Sequence, residues 1–329
     1  LLGAGSGVLG STINPFATGA AISALPESVV VNQGLIIVIA TFLWLTTLGI
    51  SIFFVMRYAA KVKKDKGSTF LSLREQKAAE KKFGNYQTKL AKEVSLTGKQ
   101  KATLVLFGLT FVVMIVGFIP WGEFGITLFD RFTGWLTGQS LGNWWFYEAA
   151  LWFLVMAIII GIINGLGENG IVDAFVDGAD DMVGVILIIA VARGASVLMG
   201  VTHLDNYIIF NAADFLSHLP ELLFVPLNYG LHVILSVLVP SSSGLATLST
   251  PIIGPLSAQL GYNPEVSVMT MVAANGLVNL ITPTCGAIMG GLALAKVEYS
   301  TWFKWAFKIV LAIAIVNIVV LGLFALFLV

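Results

Sequence analysis

The hydrophobic pattern sorts the chain into apolar runs left intact and apolar runs that polar residues interrupt. Residues 35–56, 102–121, 146–166 and 303–329 are intact, and each comes close to or exceeds the roughly 20 residues an α-helix needs to cross a bilayer. Residues 182–199 form a fifth run, with Arg193 well inside it. Two further runs are broken. Residues 1–25 carry Gly, Ser, Asn and Pro among their apolar side chains. Residues 265–297 carry Asn275, Asn279, Thr282, Pro283, Thr284 and Cys285, with glycines at 276, 286, 290 and 291. Proline removes an N–H donor and crowds the preceding turn, so carbonyls are freed that lipid cannot satisfy. Protein, water or a bound ion can. Between them, 222–239 and 245–260 are short apolar arms on either side of Pro240, Ser241, Ser242, Ser243 and Gly244, a pattern that predicts a re-entrant hairpin.

The polar remainder sets the topology. Residues 57–101 hold 13 of the 18 basic residues and only four acids, which places this linker in the cytoplasm by the positive-inside rule. Helical stretches are expected within it at 71–83 and 86–94. Residues 122–143, bordered by Trp121, Trp144 and Trp145 and containing Trp135, read as an external loop with an interfacial aromatic belt. The acidic stretch 168–181 is expected along the inner interface, and 202–220, with His203, Asp205, Asp214 and His218, along the outer one.

Composition agrees with a lipid-solvated chain. Hydrophobic residues make up 57% and charged residues 11%, with a mean hydropathy of +0.91, outside the range of a soluble globular domain. The fold class expected is an all-α polytopic membrane protein. Cys285 is the only cysteine, so an internal disulfide is excluded and a thiolate metal site is not supported. No spacing of His, Cys and Asp suggests zinc, no glycine loop suggests ATP, and no motif suggests nucleic acid. Serine hydrolysis would need a base near Ser242; only His232, on an apolar arm, is a candidate, and no enzyme is expected.

The two broken runs echo one another. Ile13-Asn14-Pro15 falls on Ile281-Thr282-Pro283, and Ser11 on Asn279, with an intact run following each. On the topology above the first broken run goes outward and the second inward. That is an inverted repeat, which places a site at mid-membrane. The first repeat shows only its last two helices, so the pattern expects roughly 150–200 further residues upstream, with a hairpin of their own.

The pairing of GSTINPFATG with PSSSGLATLSTPIIGPLSAQLG and NGLVNLITPTCGAIMGG resembles the YfcC and anaerobic dicarboxylate carrier family, within the ion transporter superfamily. On that resemblance the chain looks like a C-terminal portion. The resemblance implies an inverted-repeat elevator-type secondary transporter with re-entrant hairpin and broken helices, acting as a homodimer in the bacterial cytoplasmic membrane. It places solute and cation near Ser241, Ser242 and Ser243 and near Asn275, Asn279, Thr282 and Thr284, with Ser11, Thr12 and Asn14 as the first-repeat counterparts. Three serines stand where the superfamily has Ser-Asn-Thr. No cofactor is implied beyond a bound sodium ion. The cargo implied is a small carboxylate, with amino-acid exchange of the arginine/ornithine kind preferred. The alternatives are a sodium- or proton-coupled four-carbon dicarboxylate carrier and, in another class, a channel.

The domains expected are 1–58 (end of the first repeat), 59–101 (cytoplasmic linker), 102–220 (scaffold), 221–297 (hairpin and broken helix of the transport domain) and 298–329 (final span). Two readings stay open. Arg193 either neutralises a solute carboxylate or pairs within the protein. The serine cluster either binds ligand or caps the hairpin arms.

Overall fold

The computed structural model describes the chain except residues 13, 91–95, 120, 130–133, 219–220 and 328–329. It also leaves out the side chains of 15, 82–90, 123–124, 146, 205, 221–222 and several positions between 181 and 199. Thirteen α-helices are described: α1 (Leu2–Gly10), α2 (Ala20–Ala24, entered through a π-turn at Pro15–Gly19), α3 (Gln33–Lys64), α4 (Leu73–Leu90), α5 (Gly98–Phe118), α6 (Phe146–Asn164), α7 (Gly167–Val201), α8 (Leu204–Ser217), α9 (Glu221–Leu238), α10 (Ser242–Gln259), α11 (Pro264–Asn279), α12 (Gly286–Ala295) and α13 (Tyr299–Phe327). Both broken runs are broken as the pattern expects, and the two hairpin arms fall at α9 and α10. The acidic stretch 168–181 and the run 182–199 are not separate elements. They form the single helix α7, because no Gly–Pro turn or cap separates them.

The chain divides into two compact units, one formed by Leu1–Glu80 with Met182–Val329 and the other by Lys81–Asp181. In the second unit α5 and α6 run antiparallel. Trp152 Nε1 donates to Thr110 O at 3.0 Å and Asn164 Nδ2 to Thr103 Oγ1 at 2.7 Å, and the ring of Trp144 covers Gly117.

In the first unit α11 is the axis. Every residue from 265 to 278 is buried, so the helix is covered on all sides, and α1, α3, α9, α10 and α13 do the covering. α1 crosses it antiparallel: a Cβ built at Gly276 would lie 2.5 Å from Leu9 Cα, and one at Gly5 would meet the side chain of Leu280. Glycine at 276 is therefore what lets two helix backbones touch. Leu9 of α1, Ala273, Ala274 and Leu277 of α11, Ile39 and Leu43 of α3 and Ala306 of α13 belong to one apolar cluster.

Two glutamates pin opposite ends of the unit. Glu265, in the first turn of α11, accepts from Asn32 N–H at 2.6 Å, just ahead of α3. Glu75, in the first turn of α4, accepts from Ser72 N–H at 2.7 Å and from Glu298 N–H at 2.8 Å, just ahead of α13. One carboxylate thereby satisfies amides at two helix starts. Burial opposes its charge, but hydrogen bonds from Ser72, Glu298 and Thr301 outweigh that and hold Glu75 down at about 2.

Candidate functional site

The hairpin begins and ends at one place: the ring of Phe224 on α9 stacks on Tyr262 after α10, centroids 4.6 Å apart. Its arms are tied midway by His232, whose Nδ1 reaches Asn228 O at 3.0 Å and whose Nε2 meets Ser249 Oγ at 3.2 Å. At the tip Ser241 is the N-cap of α10, its Oγ accepting from Gly244 N–H at 3.2 Å. The capping reading therefore holds for Ser241. Its neighbour does something else. Ser242 Oγ donates to Asn275 Oδ1 on α11 at 2.6 Å, across 33 positions of sequence. Asn279 Nδ2 donates to the same oxygen at 3.0 Å, and Asn275 Nδ2 is buried with no partner among the described residues. Ser243 Oγ lies 3.4 Å from Ser241 Oγ.

Four residues past Asn275, α11 ends. An unbroken helix would pair Leu280 O with the N–H of 284 and Ile281 O with that of 285. Here Thr284 N–H turns to Thr282 Oγ1 at 3.4 Å and Cys285 N–H to Thr282 O at 3.3 Å, while Thr282 and Thr284 hydroxyls lie 2.8 Å apart. The two carbonyls are met from α13. Trp302 Nε1 donates to Leu280 O at 3.0 Å and Tyr299 Oη to Ile281 O at 2.6 Å. Side chains of α13 thus donate to both carbonyls that the break frees. α12 then starts at Gly286 with no side chain capping it, so its first N–H groups are open to an acceptor.

The first break closes on itself. Ser11 adopts a left-handed conformation (φ 33°), and its hydroxyl donates back to Val8 O. Asn14 Oδ1 accepts from Phe16 N–H at 2.9 Å and Ala17 N–H at 3.3 Å, Asn14 Nδ2 donates to Ser11 Oγ at 3.2 Å, and Thr18 Oγ1 donates to Ser11 O at 2.8 Å. Thr12 lies in the turn, partly exposed.

The structure thus joins Ser242, Asn275 and Asn279 in one hydrogen-bonded group and pairs Thr282 with Thr284. Ser11 and Asn14 bond to one another. Their break starts two residues after Leu9, whose backbone touches Gly276 beside Asn275, so the first break and the hairpin tip meet the same stretch of α11, while Leu280 at the second break lies against Gly5 of α1. Ile13, and the side chains of Arg193 and Asp205, lie outside the described residues. Sequence reasoning missed Tyr299 and Trp302, because the last apolar run is read as starting at 303. Aromatic residues with a polar tip just ahead of an apolar run were the available signal.

Four of the described helices, Gln33–Lys64, Gly98–Phe118, Tyr147–Asn164 and Tyr299–Phe327, are long and apolar enough to cross a membrane. With an apolar hairpin closed onto a helix break, they define a multi-pass membrane protein with a buried polar site. Residues 1–325 match the family described as C4-dicarboxylate anaerobic carrier, and the chain belongs to that family. It is 27% identical to an uncharacterized protein of Haemophilus influenzae over 97% of this chain and 57% of the relative. It is 26% identical to the Escherichia coli protein named "Putative basic amino acid antiporter YfcC" over 91% of this chain and 55% of the relative. The chain spans little more than half the length of these curated relatives. No solved structure matches it.

Proposed function

We propose that this chain carries one half of the solute site of a secondary transporter that moves a small carboxylate-bearing solute. The observation that carries the reading is the Ser242–Asn275 hydrogen bond, which closes the hairpin tip onto the broken helix. Asn275 lies eleven residues past the start of α11, about 16 Å along it, or about half the roughly 30 Å of a hydrocarbon core. On this reading α9 and α10 are a re-entrant hairpin with its tip at mid-membrane. The N-termini of α10 and α12 supply N–H groups suited to a carboxylate, and Asn275 Nδ2 supplies a buried donor. A coupling sodium ion would take its oxygens from Asn279, Thr282, Thr284 and the tip, the polar groups gathered at the second break and the hairpin.

Exchange of amino acids of the arginine/ornithine kind is the preferred cargo, supported by the likeness to the YfcC antiporter. No acid lies in 225–261 or 266–295, so this half engages the α-carboxylate and another part of the whole protein meets the cationic side chain. The family description favours the competing reading, a four-carbon dicarboxylate carrier. Transport follows an elevator cycle in a homodimer of the bacterial cytoplasmic membrane, with the linker end of α3 and α13 cytoplasmic. Of the residues assigned to the scaffold, 102–181 fall in the compact unit Lys81–Asp181, and 182–220 fall in the unit that also holds the hairpin and the broken helix.

The test is counterflow by the whole protein in liposomes. Arginine should compete better than its decarboxylated amine, and succinate poorly; Ser242→Ala should cut uptake at least ten-fold with little loss of folded protein. Competition by succinate but not arginine would leave the dicarboxylate reading standing. Solute flux that never saturates would indicate a channel.

A further inference from the structure

α13 carries its charges at one end. Lys304 and Lys308 lie in its first three turns, and from 309 to 327 no side chain is ionisable. At 1.5 Å per residue that uncharged stretch rises about 28 Å, close to the roughly 30 Å of a hydrocarbon core. The two lysines therefore fall at headgroup depth. α3 reports the same level, since its first charge is Arg57 and Tyr58 follows it.

At this level a cavity of about 440 Å³ opens between α13 and the segment leading into α4, lined by Phe70, Ser72, Thr301, Lys304, Trp305 and Lys308. Thr301, Lys304, Trp305 and Lys308 follow one another at helical spacing and share a face of α13. Its wall is firm. Phe70 stacks on Trp305 with centroids 5.4 Å apart, and Tyr58 packs against both rings. Among the described residues neither lysine has a carboxylate within ion-pair distance; the ion pair described nearby joins Arg74 to Glu298 at 4.0 Å. Glu75, close by, is already engaged by Ser72, Glu298 and Thr301. Two ammonium groups remain as donors facing an aromatic-walled cavity. On the same stripe of α13, three and seven residues deeper than Lys308, Leu311 is 54% exposed and Ile315 57% exposed.

We infer that this cavity binds the phosphate of an anionic phospholipid, whose acyl chains run along Leu311 and Ile315. Lysines at the boundary supply attraction to the phosphodiester, and the exposed apolar stripe below supplies the contact that a soluble phosphate cannot use. The bound lipid bridges residues 70–72 to the start of α13, the helix whose Tyr299 closes the second break.

The experiment uses the whole protein in detergent and counts retained lipid by native mass spectrometry. Three additives are compared: phosphatidylglycerol, phosphatidylcholine and glycerol phosphate. Phosphatidylglycerol should be retained over phosphatidylcholine, and glycerol phosphate should not displace it. Binding should weaken roughly five-fold for each lysine removed, about 25-fold for K304Q/K308Q. K304R/K308R should retain it, and K101Q, a basic position elsewhere, should change nothing. K304Q alone provides the reading if the double variant does not fold. Equal retention of the two lipids, or a loss in K101Q as large as in K304Q, overturns the site. Displacement by glycerol phosphate at equal concentration overturns the lipid assignment in favour of a soluble phosphate.

Discussion

The two helix breaks solve one problem by different means. Each interrupts an apolar helix at a polar residue followed by proline, Asn14-Pro15 in the first and Thr282-Pro283 in the second. In the first, the rescuing groups among the described residues lie within eight positions: Ser11, Asn14 and Thr18 meet loose carbonyls and amides. In the second, the carbonyls of Leu280 and Ile281 depend on Trp302 and Tyr299, side chains of another helix. A break that closes on itself keeps its shape wherever the helix goes. A break closed by a neighbour responds to that neighbour's position. The hairpin tip bonds beside the dependent break, through Asn275.

The largest effect should come from separating the breaks. Gly276→Val drives a branched side chain into the backbone of Leu9 and should cost upwards of about 4 kcal/mol. Size-exclusion of the solubilised protein should show little monodisperse material; a normal yield would mean that the α1–α11 crossing is loose. Next, Trp302→Phe leaves Leu280 O, on a fully buried residue, without its donor, and should cost about 1–3 kcal/mol in melting experiments. It should also depress counterflow, because the break carries the site.

Asn14→Ala removes an acceptor from two amides and should cost about 1 kcal/mol. Hydrogen exchange should show faster exchange confined to residues near 16 and 17. If its effects spread to α13, or those of Trp302→Phe stay local, the contrast between the breaks is lost. The smallest effect concerns pH. Glu75 lies at about 2 instead of 4.5, so its contribution is complete above 4.5 and lost as pH falls toward 2. Protection of the Glu298 amide, at the foot of Tyr299, should decline across that window. In Glu75→Gln it should be low and flat with pH; an unchanged profile would show that the carboxylate does not hold α13.

Much of the layout was legible along the chain. Runs of about 20 apolar residues stand alone as spans, and prolines beside Asn14 and Thr282 mark the breaks, because helix formation and interruption depend on near neighbours. The closure of the first break belongs to the same class. Its donors and acceptors lie in adjacent turns, where spacing alone brings them together.

The candidate site was legible as residue types and not as partners. Nothing in the spacing of Ser242 and Asn275 says that they meet across 33 positions, or that Ser241 caps while Ser242 reaches across. Only the packed structure decided that Tyr299 and Trp302 would close the second break, that Leu9 would lie on Gly276, and that Glu75 would hold the start of α13. Contacts between helices are chosen by the burial of whole faces against one another, a property of the assembled unit that no local stretch of sequence contains.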